Sequence, residues 1–249
     1  YEICACLVGS EMCIRDRIAF GDDTDINGTY KYTSDTDTLE IFSDDIMIDR
    51  TEADFSKNPW FSYKSSIKHI VIHNGVTKIS DLAFSRMDNL LDVQIPDTVV
   101  SIGNSAFYNC ERITSVHIPD KVTEIQGGCF TNCHLLKKVT IGSGCTSISP
   151  TAFTGANSIE EIIVEEDNKK YTSVDGVLYN NDKTTLVLYP KGRRGNFTIP
   201  DAVTTIAERA FERCNHITGV VIGKNVSKID RYASVSYTHL RAHETCADL

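Results

Sequence analysis

Apolar residues recur along this chain at one fixed step. Phe84, Phe107, Phe130 and Phe153 stand 23 residues apart, and so do Ile79, Ile102, Ile125 and Ile148. Ile72, Ile95, Ile118 and Ile141 keep the same step, as do Leu90, Ile113, Leu136 and Ile159. The step then lengthens to 58 before Ile206, Phe211 and Ile217, and returns to 23 at Ile229 and Ala233. Inside each unit runs the pattern apolar-x-x-apolar-x-apolar. It stands as Ile67-Ile70-Ile72, Leu90-Val93-Ile95, Ile113-Val116-Ile118, Leu136-Val139-Ile141, Ile159-Ile162-Val164 and Ile217-Val220-Ile222. Its last two apolar positions flank a free one, as a strand with one buried face requires. A unit this short cannot bury that face alone. Stacked units bury a continuous core and pair each strand with the next. The pattern predicts a solenoid of α/β to mainly β class. It has a parallel β-sheet on one side and short turns or single helical turns on the other.

Two segments depart from the period. Residues 18–66 read as a cap, in which Thr29–Thr33 and Thr38–Phe42 alternate like strands around the polar Ser34–Asp37 turn. Such a cap covers the apolar layer and strand edge that a solenoid end exposes. Trp60 is expected to pack on the first repeat. Residues 165–198 form an excursion within the solenoid at 67–234. There Val174–Tyr179 and Thr185–Tyr189 read as a second hairpin, joined by Asn180-Asn181-Asp182-Lys183 and followed by the basic Lys191-Gly192-Arg193-Arg194 turn. The excursion either shapes a binding face or covers one edge.

The unit carries a family resemblance. IPDTVVSIGNSAFYNCERITSVHIP (95–119), IPDKVTEIQGGCFTNCHLLKKVTIG (118–142) and IPDAVTTIAERAFERCNHITGVVIG (199–223) resemble the leucine-rich repeat of BspA-like surface proteins. The resemblance covers about residues 59–233, and 28–45 with 58–72 resembles the family's N-terminal cap. Departures are Cys129 in the Ala column, Cys145 in the Val column, Ala156 in the Cys column, and Gly142 and Gly223 in place of Pro. The resemblance implies a leucine-rich-repeat solenoid, a secreted or cell-surface location, and an adhesin-like role.

The two ends read differently. LVGSEMCIRD near the N-terminus and VSYTHLRAHET near the C-terminus back-translate to complementary DNA over about ten codons, and that DNA resembles a transposase-type sequencing adaptor. Residues 1–17 and 235–249 are therefore expected to be translated adaptor, and the chain a fragment whose true N-terminus is missing. The formal charge of −9 becomes −7 without them, and nine cysteines become five: Cys110, Cys129, Cys133, Cys145 and Cys214. An acidic chain is a poor nucleic-acid partner, because a phosphate-binding face needs a Lys/Arg surplus. No run approaches 18 apolar residues, so this fragment contains no membrane-spanning helix.

Candidate chemistry is sparse. The five cysteines sit where the repeat wants small buried apolar residues, and free thiols suit that role. Cys110 and Cys133 fall on adjacent rungs, close enough for a disulfide, and their redox state stays open. Cys129-Phe-Thr-Asn-Cys133-His134 is one residue too long for a c-type haem site. His69, His73 and His117 fall in different columns and do not converge on a metal. Asp23, Asp25 and Asn27 match half of a calcium loop, whose twelfth position would be Ser34. Glu160-Glu161 and Glu165-Glu166-Asp167 read as solvated surface. GxSxG, GxxxxGK[ST] and HExxH are absent, so no enzyme activity and no cofactor is expected. The free strand positions form the candidate partner-binding face: His69, Val71, His73, Asp92, Gln94, Ser115, His117, Lys138, Thr140, Glu161, Ile163 and Val221. Without aromatic residues on it, this face favours a protein ligand over a glycan. The alternatives are an accessory repeat region of a larger secreted enzyme, or an intracellular scaffold.

Overall fold

The structure, a computed structural model, describes residues 28–234. The two adaptor-like strings and Asp23, Asp25 and Asn27 lie outside the described residues. β1 (Tyr30–Thr33) and β2 (Thr38–Ile41) form the expected antiparallel hairpin. Three 3-10 turns follow, at Asp44–Ile46, Phe55–Lys57 and Pro59–Tyr63. From there each repeat lays down one longer strand and one two-residue strand. These are β3 (His69–Ile72) and β4 (Lys78–Ile79), β5 (Asp92–Gln94) and β6 (Ser101–Ile102), β7 (Ser115–Ile118) and β8 (Glu124–Ile125), and β9 (Lys138–Ile141) and β10 (Ser147–Ile148), with β11 (Glu161–Val164) opening the next repeat.

Period becomes register without remainder. His69 lies beside Asp92, Ser115 beside Lys138 and Lys138 beside Glu161, each pair 23 residues apart. The longer strands stack as β3-β5 and β7-β9-β11, the short ones as β4-β6 and β8-β10, all parallel. The cap joins this order, because β2 pairs parallel with β3 and sets Leu39 beside Ile70 and Ile41 beside Ile72.

The opposite side is built of turns; the described residues contain no α-helix. On either side of Phe84, Phe107 and Phe130 a residue takes left-handed backbone, as Ser105 and Asn109 do around Phe107 and Gly128 and Asn132 around Phe130. Two such residues per turn rule out a helix, and Gly or Asn adopts that conformation at least cost. The phenylalanines stack in a column headed by the cap. Ring centroids are 5.5 Å apart for Trp60–Phe84, 5.4 Å for Phe84–Phe107 and Phe107–Phe130, and 5.6 Å for Phe130–Phe153. Trp60 also donates its indole N–H to Ala83 O at 2.8 Å, so the cap is tied to the first repeat as expected.

The cysteine column does more than fill space. Cys110 Sγ donates to Phe84 O at 3.2 Å and Cys133 Sγ to Phe107 O at 3.3 Å, each reaching one rung back. All five cysteines are buried, and burial pushes their thiols up, Cys145 to about 11 and Cys214 to about 12.

The excursion holds the main departure from expectation. The single strand expected at Val174–Tyr179 is broken by Asp175 (φ 48°) and Gly176 (φ 71°) into β12 (Tyr171–Val174) and β13 (Val177–Asn180). Positive φ at both central residues makes the two-residue hairpin turn that Asp-Gly favours. β13 pairs antiparallel with β14 (Thr185–Leu188), and β15 (Gly195–Thr198) follows. β14 is parallel to β16 (Thr205–Ile206), which pairs with β18 (Lys228–Ile229). β15 is parallel to β17 (Ile217–Val221). Tyr189 takes the phenylalanine place, its N–H donating to Ala210 O at 2.8 Å and its ring 5.2 Å from Phe211. Residues 185–198 thus supply a degenerate rung. The apolar core divides here, one cluster running from Tyr32 to Leu178 and the other from Val177 to Ala233. Asn168 ties the hairpin down. Its amide donates to Gly142 O at 2.9 Å and Cys145 O at 3.0 Å, and its oxygen accepts from the Lys170 and Tyr171 amides.

Candidate functional site

The outward positions of β3, β5, β7, β9 and β11 form one face. His69 and Val71 are half-buried; Gln94, Ser115, His117, Lys138 and Glu161 are exposed. Cross-rung contacts organise it. His69 Nδ1 lies 2.7 Å from Asp92 Oδ2, and Lys138 Nζ lies 3.4 Å from Glu161 Oε2. His73 Nε2 lies 3.0 Å from Glu40 Oε1, and its ring stacks on Phe42 at 4.4 Å. Neighbouring rungs therefore set a basic side chain beside a carboxylate at one height, a favourable arrangement for cross-strand pairs.

Phe42 corrects the expectation of a face without aromatic residues. β2 belongs to the sheet and adds Glu40 and Phe42 to its first row. The signal was present in the sequence: Thr38, Glu40 and Phe42 alternate with the same parity as His69, Val71 and His73.

The structure brings eleven of the twelve candidate residues onto neighbouring strands and sets Val221 apart. The Ile162 amide donates to Gly176 O at 3.0 Å and the Val164 amide to Ser173 Oγ at 3.1 Å. The hairpin thus takes the edge of β11, and Ile163 is half-buried there. Val221 lies on β17, in the separate β15–β17 sheet, 54% exposed. Asn196 and Thr198 of β15 share that outer surface, hidden from sequence reasoning inside the excursion.

The joint between the two cores carries the molecule's one strongly buried ionic cluster among the described residues. The sequence placed Lys191 in a basic surface turn, yet it is 2% exposed. Its ammonium donates to Phe153 O at 3.2 Å and lies 3.4 Å from Glu212 Oε2. Glu212 also binds Arg209 Nη1 and lies 3.5 Å from Thr154 Oγ1. Lys191 therefore does for Phe153 what Cys110 does for Phe84. Burial lowers its pKa, and the Glu212 carboxylate opposes that shift.

No group of three or more His, Cys, Asp or Glu among the described residues could hold a metal. His69, His73 and His117 each serve their own row. Glu160 and Glu161 face Lys137 and Lys138 across one rung, at 3.6 and 3.4 Å, which is a surface ladder and not a paired acid site.

Stacked parallel strands, a phenylalanine column and turn-built backs define a leucine-rich-repeat solenoid, a class of repeat module that interacts through extended surfaces. The family described as BspA type leucine rich repeat region matches in six copies over residues 57–182 and 192–245, and the chain belongs to it. The second match runs through the whole of the C-terminal adaptor-like string, residues 235–245. No curated protein matches the chain. A leucine-rich repeat protein from Eubacterium ventriosum is similar in structure, with 26% identity and a TM-score of 0.61 over 82% of this chain and 60% of its own. The pneumococcal vaccine antigen PcpA matches with 24% identity and a TM-score of 0.59 over 71% of this chain and 48% of its own. A leucine rich cell surface protein from Faecalibacterium prausnitzii matches with 23% identity and a TM-score of 0.52 over 85% of this chain and 73% of its own. The chain thus spans about half to three-fifths of the first two.

Proposed function

We propose that this chain is a non-catalytic binding module of a secreted or cell-surface protein, and that the sheet face recognises a protein ligand. The observation that carries this reading is the run of outward residues from His69 to Glu161, held in register within β3–β5 and within β7–β9–β11 and contacting across the rung at His69–Asp92 and Lys138–Glu161. An extended row of fixed polar groups suits many shallow contacts with a protein surface. A glycan is the weaker fit, because Phe42 and His73 offer stacking at one edge only. The surface location rests on family membership and on the cell-surface protein from Faecalibacterium prausnitzii.

The test is binding of the full chain to arrays of purified extracellular proteins and of glycans, beside a variant carrying Ser115→Arg and Thr140→Arg. Both positions point outward, so the variant is expected to melt with the parent and to lose at least about tenfold in affinity. A protein ligand held equally by both chains would remove the sheet face from the reading.

A further inference from the structure

Beside the joint opens a cavity of about 110 Å³. Ile148 of β10, Pro150 and Phe153 form one wall; Val187 and Leu188 of β14, with Ala207, form the other. No residue of β3, β5, β7, β9 or β11 lines it, so it is separate from the sheet face and needs nothing from that reading. Its origin is a missing rung. After β10 the chain leaves to build the β12–β13 hairpin, and β14 then pairs with β13 and β16 and not with β10. Phe153 stacks on Phe130, while Tyr189 stacks on Phe211, which leaves a gap between the columns.

The polar groups at this gap restrict what fits it. Lys191 is committed to Phe153 O and Glu212, and Arg209 Nη1 to Glu212. Arg209 Nε is buried without an acceptor, 3.9 Å from Glu208 Oε1. A buried donor left unmade costs free energy that an incoming oxygen would recover. Glu212 already holds Lys191 and Arg209, and Glu208 already holds Arg231 at 3.3 Å, so a carboxylate would meet both glutamates and an amine the committed cations. A neutral acceptor is the match. The volume is well below that of a nucleotide or drug-sized site and suits one branched aliphatic group.

We propose that this cavity is an anchor pocket for a protein partner, taking one leucine-sized side chain whose neighbouring peptide carbonyl accepts from Arg209 Nε. An aliphatic anchor seated in a pocket can centre an interface.

The probe is N-acetyl-leucinamide, titrated into the full chain and followed by methyl NMR. Saturable shifts are expected at the Ile148, Val187 and Leu188 methyls, with none from N-acetyl-glycinamide. Ala207→Leu fills the cavity and should weaken the probe by about tenfold or more. Arg209→Lys keeps the charge beside Glu212 but removes Nε, and should weaken it about fivefold. Unmoved methyls at the probe's solubility limit would overturn the proposal, as would equal shifts from the glycine compound or wild-type affinity in Arg209→Lys. If Ala207→Leu does not fold, the glycine compound and Arg209→Lys still decide. Shifts confined to the Val71 and Ile163 methyls would likewise overturn the pocket while leaving the sheet face standing.

Discussion

The two stacks of this solenoid solve one packing problem with different chemistry. In the N-terminal stack, from Trp60 to Phe153, rings stack on every rung, thiols meet carbonyls at Cys110 and Cys133, and nothing charged lies inside. In the C-terminal stack, Tyr189 and Phe211 continue the column with Phe197 tilted against Tyr189, and the carbonyl between stacks is met by a lysine. A thiol needs no countercharge. An ammonium does, and so Glu212 and Arg209 are drawn inside with it. Strict repetition spreads stability evenly, whereas a break in period gathers it into a few polar residues whose partners are indispensable.

That contrast can be broken by substitution. Phe107→Ala removes the ring between two others and should cost about 3–5 kcal/mol in urea unfolding. Glu212→Gln leaves the buried Lys191 and the half-buried Arg209 without their carboxylate and should cost about 3 kcal/mol, while Lys191→Met with Glu212→Gln should recover most of it. If Glu212→Gln instead costs no more than a surface pair, the joint is not held by its ions. Cys110→Ala should cost only about 1–2 kcal/mol, the loss of one small buried group and one weak donor. Lys138→Ala, on the exposed face, should stay within about 0.5 kcal/mol of the parent.

Alkali sharpens the same comparison. Cys145 and Cys214 hold their protons to about 11 and about 12, against an ordinary 9.0. As pH rises the unfolded chain releases these protons first. The stability they contribute is whole below pH 9 and is lost progressively towards pH 11–12. The urea midpoint should fall across that window, and Cys145→Ala should flatten the fall.

Much of this architecture was readable in advance where one column held one kind of residue. Phe84 to Phe153 and Ile72 to Ile141 gave strand, turn and register together, because a 23-residue step admits one stacking. The resemblance to BspA-like repeats pointed to the same solenoid. Reading failed where the chain changed residue type and spacing at once. Tyr189 continues the phenylalanine column 22 residues before Phe211, and a tyrosine off the period carries no flag. Asp175-Gly176 was a hairpin signal overlooked inside an apolar run. Lys191, among Gly192, Arg193 and Arg194, looked like solvent-facing charge; only the third dimension brings Phe153 O and Glu212 to it. On the face, Glu40 and Phe42 were hidden by treating the cap as separate from the sheet.

The strands lie across the long axis of the stack, so their ladder hydrogen bonds point along it. Tension applied at the two ends therefore loads these bonds one row after another, in the manner of a zipper and not of a shear joint. Most rows are equivalent and resist alike. The gap between β10 and β14 is different, since it has neither a strand pair nor the ring-on-ring contact that continues elsewhere from Trp60 to Phe153, and the hairpin with one ion cluster bridges the two cores. Under load the solenoid should yield there first, separating into two stacks before either loses its own rungs.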